Sequence, residues 1–504
     1  MHANNGMEDK QGHGSTNLQD RSLSQKVSKG AAWVTATAVV TRGFYFITAI
    51  IMARLLLPSD FGLMAIAMSI ITFTQGTTDT GFLSALIQKQ DKTEEFLNTA
   101  WTIELVRYII LAMVLFFTAP LLSIYFAEPN ITPVLRVLSV SVIIQGLRNV
   151  GIIFFRKNLQ FDKQFVVEVV PLITNIVLVI PLAYILRSVW ALVLTTLATS
   201  IVTCLVSYAI HPYRPRLEFN RQKCKELLGF GKWIFGQSII GVFLNQAVNM
   251  FIGKFYAMTN LGFYDRALTF SSTILQQIDI LIWKIAYPLY SQLQSEPERL
   301  KKAYLNTAYF LYFVGLPMAG GLFILSKDFV YIFLRDEWLP IVPLMQILCL
   351  KSAIETINTP SIILFQAIGK PSIGAKRTTL TLILTALMIY PLSSLWGLSG
   401  TVFSLFLSNL IVSPMILYTG SKIIESDLLE FIRPLLFSIT STGMMIAIIY
   451  MAKVYLLHEI KIYEFIGLIV IGIISYFIIT LVLERFFHYG LRSLIKERLV
   501  AFKH

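Results

Sequence analysis

The apolar run from residue 30 to 54 carries an arginine, Arg42, near its middle. A cation at that depth of a bilayer costs at least about 2.5–3.5 kcal/mol on insertion scales, so it must face protein or water. A guanidinium so placed either grips a pyrophosphate with its planar fork or neutralises a carboxylate on a neighbouring helix. Glu104 and Arg107 stand at i and i+3, and Lys351 and Glu355 at i and i+4, spacings at which each pair can satisfy itself on one helix face. The same four groups are candidates for ion coupling or gating. Arg148 closes the run Gln145-Gly146-Leu147-Arg148, where it either contacts substrate or snorkels to the headgroups. Lys284, just before Pro288, is the stronger cavity candidate in the second half of the chain. Asp79 and Asp279 could hold a shared proton or cation; the other reading is separate hydrogen bonding to nearby Thr or Gln. Arg54 and Lys254, at the ends of apolar runs, read as interfacial anchors. The substrate-binding candidates are therefore Arg42, Arg148 and Lys284, and the pattern offers no catalytic set and no metal ligands.

The elements that position these charges are membrane helices. The chain has 504 residues, of which 55% are hydrophobic and 14% charged, and its mean hydropathy is +0.68. A bilayer core needs about 20 mostly apolar helical residues. Such windows recur over 30–54, 61–87, 98–123, 133–155, 164–186, 188–209, 230–252, 265–288, 303–325, 339–366, 373–393, 396–418, 432–453 and 463–483. The prediction is an all-α polytopic membrane protein of about fourteen transmembrane helices. An even number puts both termini on one side, and the segments on that side hold most of the basic residues, which makes it the cytoplasm. The net charge of +13 is a topology signal distributed over short segments rather than a nucleic-acid footprint. Three cysteines, Cys204, Cys224 and Cys349, lie far apart and indicate neither a disulfide framework nor a zinc site. Residues 1–29 are polar, without the apolar core of a signal peptide, and read as a cytoplasmic tail. The longest segment between helices, 210–229, is too short for a folded catalytic module.

The two halves resemble one another. A shift of 200 residues aligns Trp33 with Trp233, Arg54 with Lys254, Gly62 with Gly262, Ala67 with Ala267 and Asp79 with Asp279. A shift of 210 superposes Ile131, Pro133, Leu138, Ile144, Ile152, Ile153 and Phe155 on Ile341, Pro343, Leu348, Ile354, Ile362, Ile363 and Phe365. An even number of helices per half makes the repeats parallel, with a cleft between them for substrate. The expected organisation is an N-lobe over 30–209, a linker over 210–229 and a C-lobe over 230–419. Helices thirteen and fourteen and a basic tail follow over 420–504. Pro171, Pro181, Pro317, Pro360 and Pro391 fall inside predicted helices and permit bends.

Several short motifs carry a family likeness. They are Gly30-Ala31-Ala32-Trp33, Ala53-Arg54-Leu55-Leu56, Pro58, Phe61-Gly62, Asp79, Gly81 and Ala85-Leu86-Ile87, then Asn98-Thr99, Trp101, Leu159, Phe161 and Trp190-Ala191-Leu192-Val193. The sequence resembles the bacterial polysaccharide flippases of the polysaccharide transport family, in the branch of colanic acid and teichuronic acid exporters. The resemblance implies the fold of the multidrug/oligosaccharidyl-lipid/polysaccharide exporter superfamily, two six-helix lobes around a central cavity. In related lipid flippases arginines line that cavity and two extra helices shape a groove for the lipid tail. Arg42 matches a cavity arginine, and helices thirteen and fourteen match the groove-forming pair. An acidic residue common on the family's seventh helix is replaced here by Asn249.

The implied activity is translocation of undecaprenyl-pyrophosphate-linked oligosaccharide units to the outer leaflet by alternating access, for exopolysaccharide or lipopolysaccharide synthesis. The chain would reside in the bacterial inner (plasma) membrane, with no cofactor, coupled to a H+ or Na+ gradient. A polysaccharide polymerase and a chain-length regulator are expected partners. Two rival readings are a multidrug-type antiporter, disfavoured by buried cations in both halves, and a membrane polymerase or glycosyltransferase, disfavoured by short outer loops.

Overall fold

The computed structural model describes residues 41, 43–82, 86, 93–158, 160–456 and 461–487. Arg42 lies outside the described residues, as do Trp33 and the tail assigned to 1–29.

The described chain is helical, with no strand among the described residues. In order come α1 (Gly43–Leu55), α2 (Pro58–Gly76), α3 (Glu94–Phe126) and α4 (Ile131–Gly146). A 3-10 turn (Val150–Ile152) then leads into α5 (Ile153–Lys157), α6 (Phe161–Leu186) and α7 (Trp190–Ile210). The second half holds α8 (Arg221–Phe255), α9 (Met258–Gln292), α10 (Pro297–Phe333), α11 (Ile341–Ala367), α12 (Pro371–Ile423), α13 (Leu428–Leu456) and α14 (Ile462–Phe487). Eight of these are long and apolar enough to cross a bilayer by length and composition alone. Helix α12 is two helices joined at a kink. Trp396 and Gly397 leave helical dihedrals there, and Gly397 adopts φ +58°, a conformation that side-chain-bearing residues resist. With its arms counted separately, a helix stands at each of the fourteen expected spans.

Two of the expected spans are interrupted. The second, read as 61–87, stops at Gly76: Thr78 Oγ1 turns back onto the carbonyls of Thr74 and Gln75, and Gly81 takes φ +66°. Asp79 therefore sits in a turn, where its Oδ1 accepts from the Gly81 N–H at 3.0 Å. The fourth span, read as 133–155, breaks after Gly146. Asn149 caps the 3-10 turn by accepting from Gly151 N at 2.8 Å, so Arg148 lies in the break rather than on a helix. Both breaks fall on short polar runs, Thr77-Thr78-Asp79-Thr80 and Arg148-Asn149, which a window of about 20 residues averages into the apolar sequence on either side.

The described residues divide into two compact units, those within 1–48 and 74–239 and those within 49–73 and 240–504. In the first, α3 packs on α4, α4 on α7 and α7 on α6. After Ile210 the backbone runs without regular structure to Asn220, and α8 begins at Arg221, earlier than the span at 230–252.

The second unit contains the clearest trace of duplication. Helix α1 ends at Leu55 and α2 starts at Pro58, while α8 ends at Phe255 and α9 starts at Met258, about 200 residues later in both cases. These two corners meet symmetrically. A Cβ on Gly62 would stand 1.7 Å from the Met258 carbonyl oxygen, and one on Gly262 would stand 1.8 Å from that of Pro58. Only glycine permits such an approach of helix backbones. Trp338, fully buried, closes over the seam: its Nε1 donates to Ala53 O at 2.8 Å, with the Phe61 and Phe263 rings edge-on at 5.5 and 6.0 Å. Arg54 donates to the carbonyls of Ile332 and Phe333, both at 2.6 Å.

Helices α10, α13 and α14 also pack together in this unit, again through small residues. Gly320 faces Thr442 and Ile446, and Gly472 faces Ile449. Lys453 on α13 reaches the buried Asp328 on α10 at 2.5 Å.

Candidate functional site

In the first unit the carboxylate of Glu104 is buried and held through one oxygen by Arg107, whose Nε and Nη2 both donate to Oε2 at 3.0 and 2.5 Å. Its other oxygen accepts from Thr80 Oγ1 at 2.5 Å. Arg107 also reaches Gln75 O at 3.4 Å and Thr78 Oγ1 at 3.3 Å, and lies over the Tyr108 ring at 4.4 Å. The pair predicted from spacing thus also clamps the turn after α2, a use of it that spacing could not reveal.

Glu104 and Tyr108 line one wall of a cavity of about 610 Å³ with mixed polar and apolar lining. Gln145 comes from the last turn of α4, Arg148 and Asn149 from the break after it, Glu168 and Asn175 from α6, and Thr196, Thr199 and Ser200 from α7. The break supplies this polarity: a continuous helix would carry Arg148 on a regular face, whereas the turn sets it beside Cys204.

The segment after α7 is pinned to the N-terminal end of α3. Asn98 is the hub, accepting from the Tyr213 hydroxyl and, at 3.2 Å, from Arg216 N, and donating to Glu218 at 3.0 Å. Lys223 pairs with Glu218 at 3.1 Å, and Asn149 Nδ2 donates to Tyr213 O at 2.7 Å. The hydrogen bond from Asn98, together with Lys223, holds the exposed Glu218 carboxyl below its usual range. Burial, then Glu218, pushes the Tyr213 phenol up to about 12. Burial, with Lys163 and Arg214 nearby, lowers the His211 imidazole below 6.5, and its Nδ1 accepts from Tyr213 N at 3.1 Å.

In the second unit Asp279 on α9 faces Thr359 and Glu355 of α11. Glu355 pairs with Lys351 at 2.7 Å, one turn away. Arg377, on the first arm of α12, is a further electrostatic neighbour of Glu355. Sequence reading missed it because it lies at the start of an apolar run. Lys284 is exposed on α9 and forms no ion pair among the described residues. Asn249, where the family pattern has an acid, donates to Ser69 Oγ at 2.7 Å. Asp79 belongs to the first unit and Asp279 to the second, and each has its own local partners.

An apolar cavity of about 530 Å³ lies among α10, α13 and α14. Phe313, Pro317, Phe329, Ile449, Ile473 and Phe477 are in its wall, and almost no polar surface enters it. Gly321 also lines it, and a Cβ there would meet nothing within 4 Å.

Comparisons with known proteins agree with this architecture. The chain is 21% identical over 361 residues to the lipopolysaccharide biosynthesis protein WzxC of Escherichia coli K12, covering 70% of this chain and 73% of that relative. It is 23% identical over 350 residues to the succinoglycan biosynthesis transport protein ExoT of Rhizobium meliloti, covering 69% and 71%. The structure is similar to that of the lipid II flippase MurJ in an inward closed conformation, with a TM-score of 0.74 at 14% identity, over 90% of this chain and 99% of that one. That likeness shows the fold of a helical membrane transporter. A family model described as polysaccharide biosynthesis protein matches residues 51–343, from the glycine corner at Gly62 through the Trp338 closure. Over more than half its length, therefore, this chain belongs to the polysaccharide biosynthesis protein family.

Proposed function

We propose that the chain is a flippase that carries undecaprenyl-pyrophosphate-linked oligosaccharide units from the cytoplasmic to the outer leaflet by alternating access. The observation that carries this reading is the apolar groove among α10, α13 and α14. A dry, Phe- and Ile-lined trough walled by the two helices that lie beyond the repeat suits a polyprenyl tail. The lipid II flippase and the succinoglycan transport protein lend support by their names.

In this reading Arg42, Arg148 and Lys284 neutralise the pyrophosphate, with Arg42 as the principal contact because its cost in the bilayer is the greatest. The Asp279–Glu355–Lys351–Arg377 cluster of the second unit is the candidate for coupling to a H+ or Na+ gradient. A coupling ion shifts a conformational equilibrium only through differential affinity for the two states. The membrane is the bacterial inner membrane, both termini are cytoplasmic, and the work is transport rather than catalysis. A polysaccharide polymerase and a chain-length regulator would take up the product.

Two substitutions test the two ends of the substrate. Gly321→Phe fills the groove from open space. It should leave thermal stability within a few degrees of wild type yet cause lipid-linked oligosaccharide to accumulate in the inner leaflet. Arg42→Ala should do the same, with Arg42→Lys intermediate. Unchanged export in a folded Gly321→Phe protein would show that the groove holds no tail, and unchanged export in Arg42→Ala would make that arginine structural.

A further inference from the structure

A second trough, of about 400 Å³, lies between the C-terminal half of α9 and the N-terminal half of α10. Its α9 wall is apolar: Ile282, Ile285, Ala286, Leu289 and Leu293 share one face over three turns. That stripe is about 16 Å long at 1.5 Å per residue, close to the roughly 15 Å depth of one leaflet's hydrocarbon. Ile285 and Leu289 are exposed, so the wall faces whatever surrounds the protein.

The α10 wall is graded. Arg299 and Lys302 stand at the helix start, Asn306 and Thr307 one turn deeper, and Phe310 a turn deeper again. Charge, then neutral hydrogen-bonding groups, then an aromatic ring is the order of polarity along a phospholipid, from phosphate through glycerol esters to acyl chain. The sign of the charge selects an anion. Arg299 is held by Glu296 at 2.7 Å, but both side chains are largely exposed, and such a pair is weak enough to share its guanidinium. Lys301, which points elsewhere, pairs with Glu430. The basic bias of the connecting segments places this end of α9 and α10 in the cytoplasm.

We propose that the α9–α10 trough binds one anionic phospholipid of the cytoplasmic leaflet, its phosphate on Arg299 and Lys302 and one acyl chain along Ile282–Leu293. The site is separate from the groove among α10, α13 and α14 and does not depend on what the protein transports.

The test is native mass spectrometry of the full-length, detergent-purified chain titrated with phosphatidylglycerol or with phosphatidylcholine of the same acyl chains. Wild type should bind one phosphatidylglycerol at least tenfold more tightly than phosphatidylcholine. Arg299→Ala with Lys302→Ala should weaken phosphatidylglycerol roughly fivefold per residue removed and leave phosphatidylcholine unchanged. Ile285→Trp, which fills the trough and keeps both cations, should weaken phosphatidylglycerol at least fivefold. Equal binding of the two lipids by wild type, or wild-type affinity in the double variant, would overturn the proposal. Both of those readings stand even if the tryptophan variant does not fold.

Discussion

Lys453 and Asp328 show how a buried charge is fixed by a single partner. The pair spans α10 and α13 at 2.5 Å, with Asp328 almost fully buried. Removing one partner of a buried pair strands the other, at about 3–5 kcal/mol. Lys453→Met should therefore lower the melting temperature in detergent, and Asp328→Leu in the same chain should restore most of the loss. A single variant as stable as wild type would mean that the pair adds nothing. Neither residue stood out in the sequence, because apolar windows ended at 325 and 453 whereas α10 and α13 extend to Phe333 and Leu456. The i, i+3 and i, i+4 pairs were legible because both partners are local. Thr80 on Glu104 and Arg377 beside Glu355 depend on chain-distant packing that no spacing encodes.

The docked segment after α7 makes a prediction at the scale of an element. His211 is half-buried, its Nδ1 accepts from Tyr213 N, and its affinity for a proton is lowered relative to the free side chain. The undocked segment therefore binds more protons than the docked one between the lowered value and about 6.5, so docking is strongest above 6.5 and weakens as pH falls below it. Glu218 acts in the same sense at lower pH, its contribution being lost as pH falls through its depressed value. Hydrogen-exchange protection factors of the Tyr213 and Arg216 amides should fall between pH 7.5 and 5.5, and His211→Gln should flatten the slope. A flat wild-type profile would dismiss the imidazole. The glycine corner offers a second prediction. Gly62→Leu cannot be accommodated without moving α2 away from α9, a cost of about 1–3 kcal/mol or more. A single cysteine replacing the fully buried Ala53, in a chain lacking Cys204, Cys224 and Cys349, should then be labelled faster by a soluble maleimide. Helix positions were readable from hydropathy, but the breaks at Gly76 and Leu147 were not, because a window of about 20 residues averages the short polar runs Thr77-Thr78-Asp79-Thr80 and Arg148-Asn149 into their apolar flanks.

For the whole molecule, composition and period carried most of the architecture. Fourteen spans and the likeness of Gly62 to Gly262 follow from apolar length and from a shift of 200 residues, and the corners Leu55/Pro58 and Phe255/Met258 fall where that shift puts them. The division into units was less legible. Residues 49–73 associate with the second unit rather than with the half that precedes the linker, because their glycine and tryptophan contacts are made with α9 and with Trp338. Arg42 was legible as a cost in the membrane, but the residue itself lies outside the described residues. The groove among α10, α13 and α14 could be anticipated only by likeness to lipid flippases, since its lining is ordinary apolar sequence.

The Gly62–Gly262 contact has a kinetic corollary. Where side chains interlock, parting two helices requires each to leave its rotamer well before any new contact forms, and that friction slows the motion. Here backbone rests on backbone with no side chain across the point of closest approach. Any parting of the two corners would therefore meet side-chain resistance only from Trp338 and the rings around it, so trimming Trp338 should ease it more than any change at the glycines themselves.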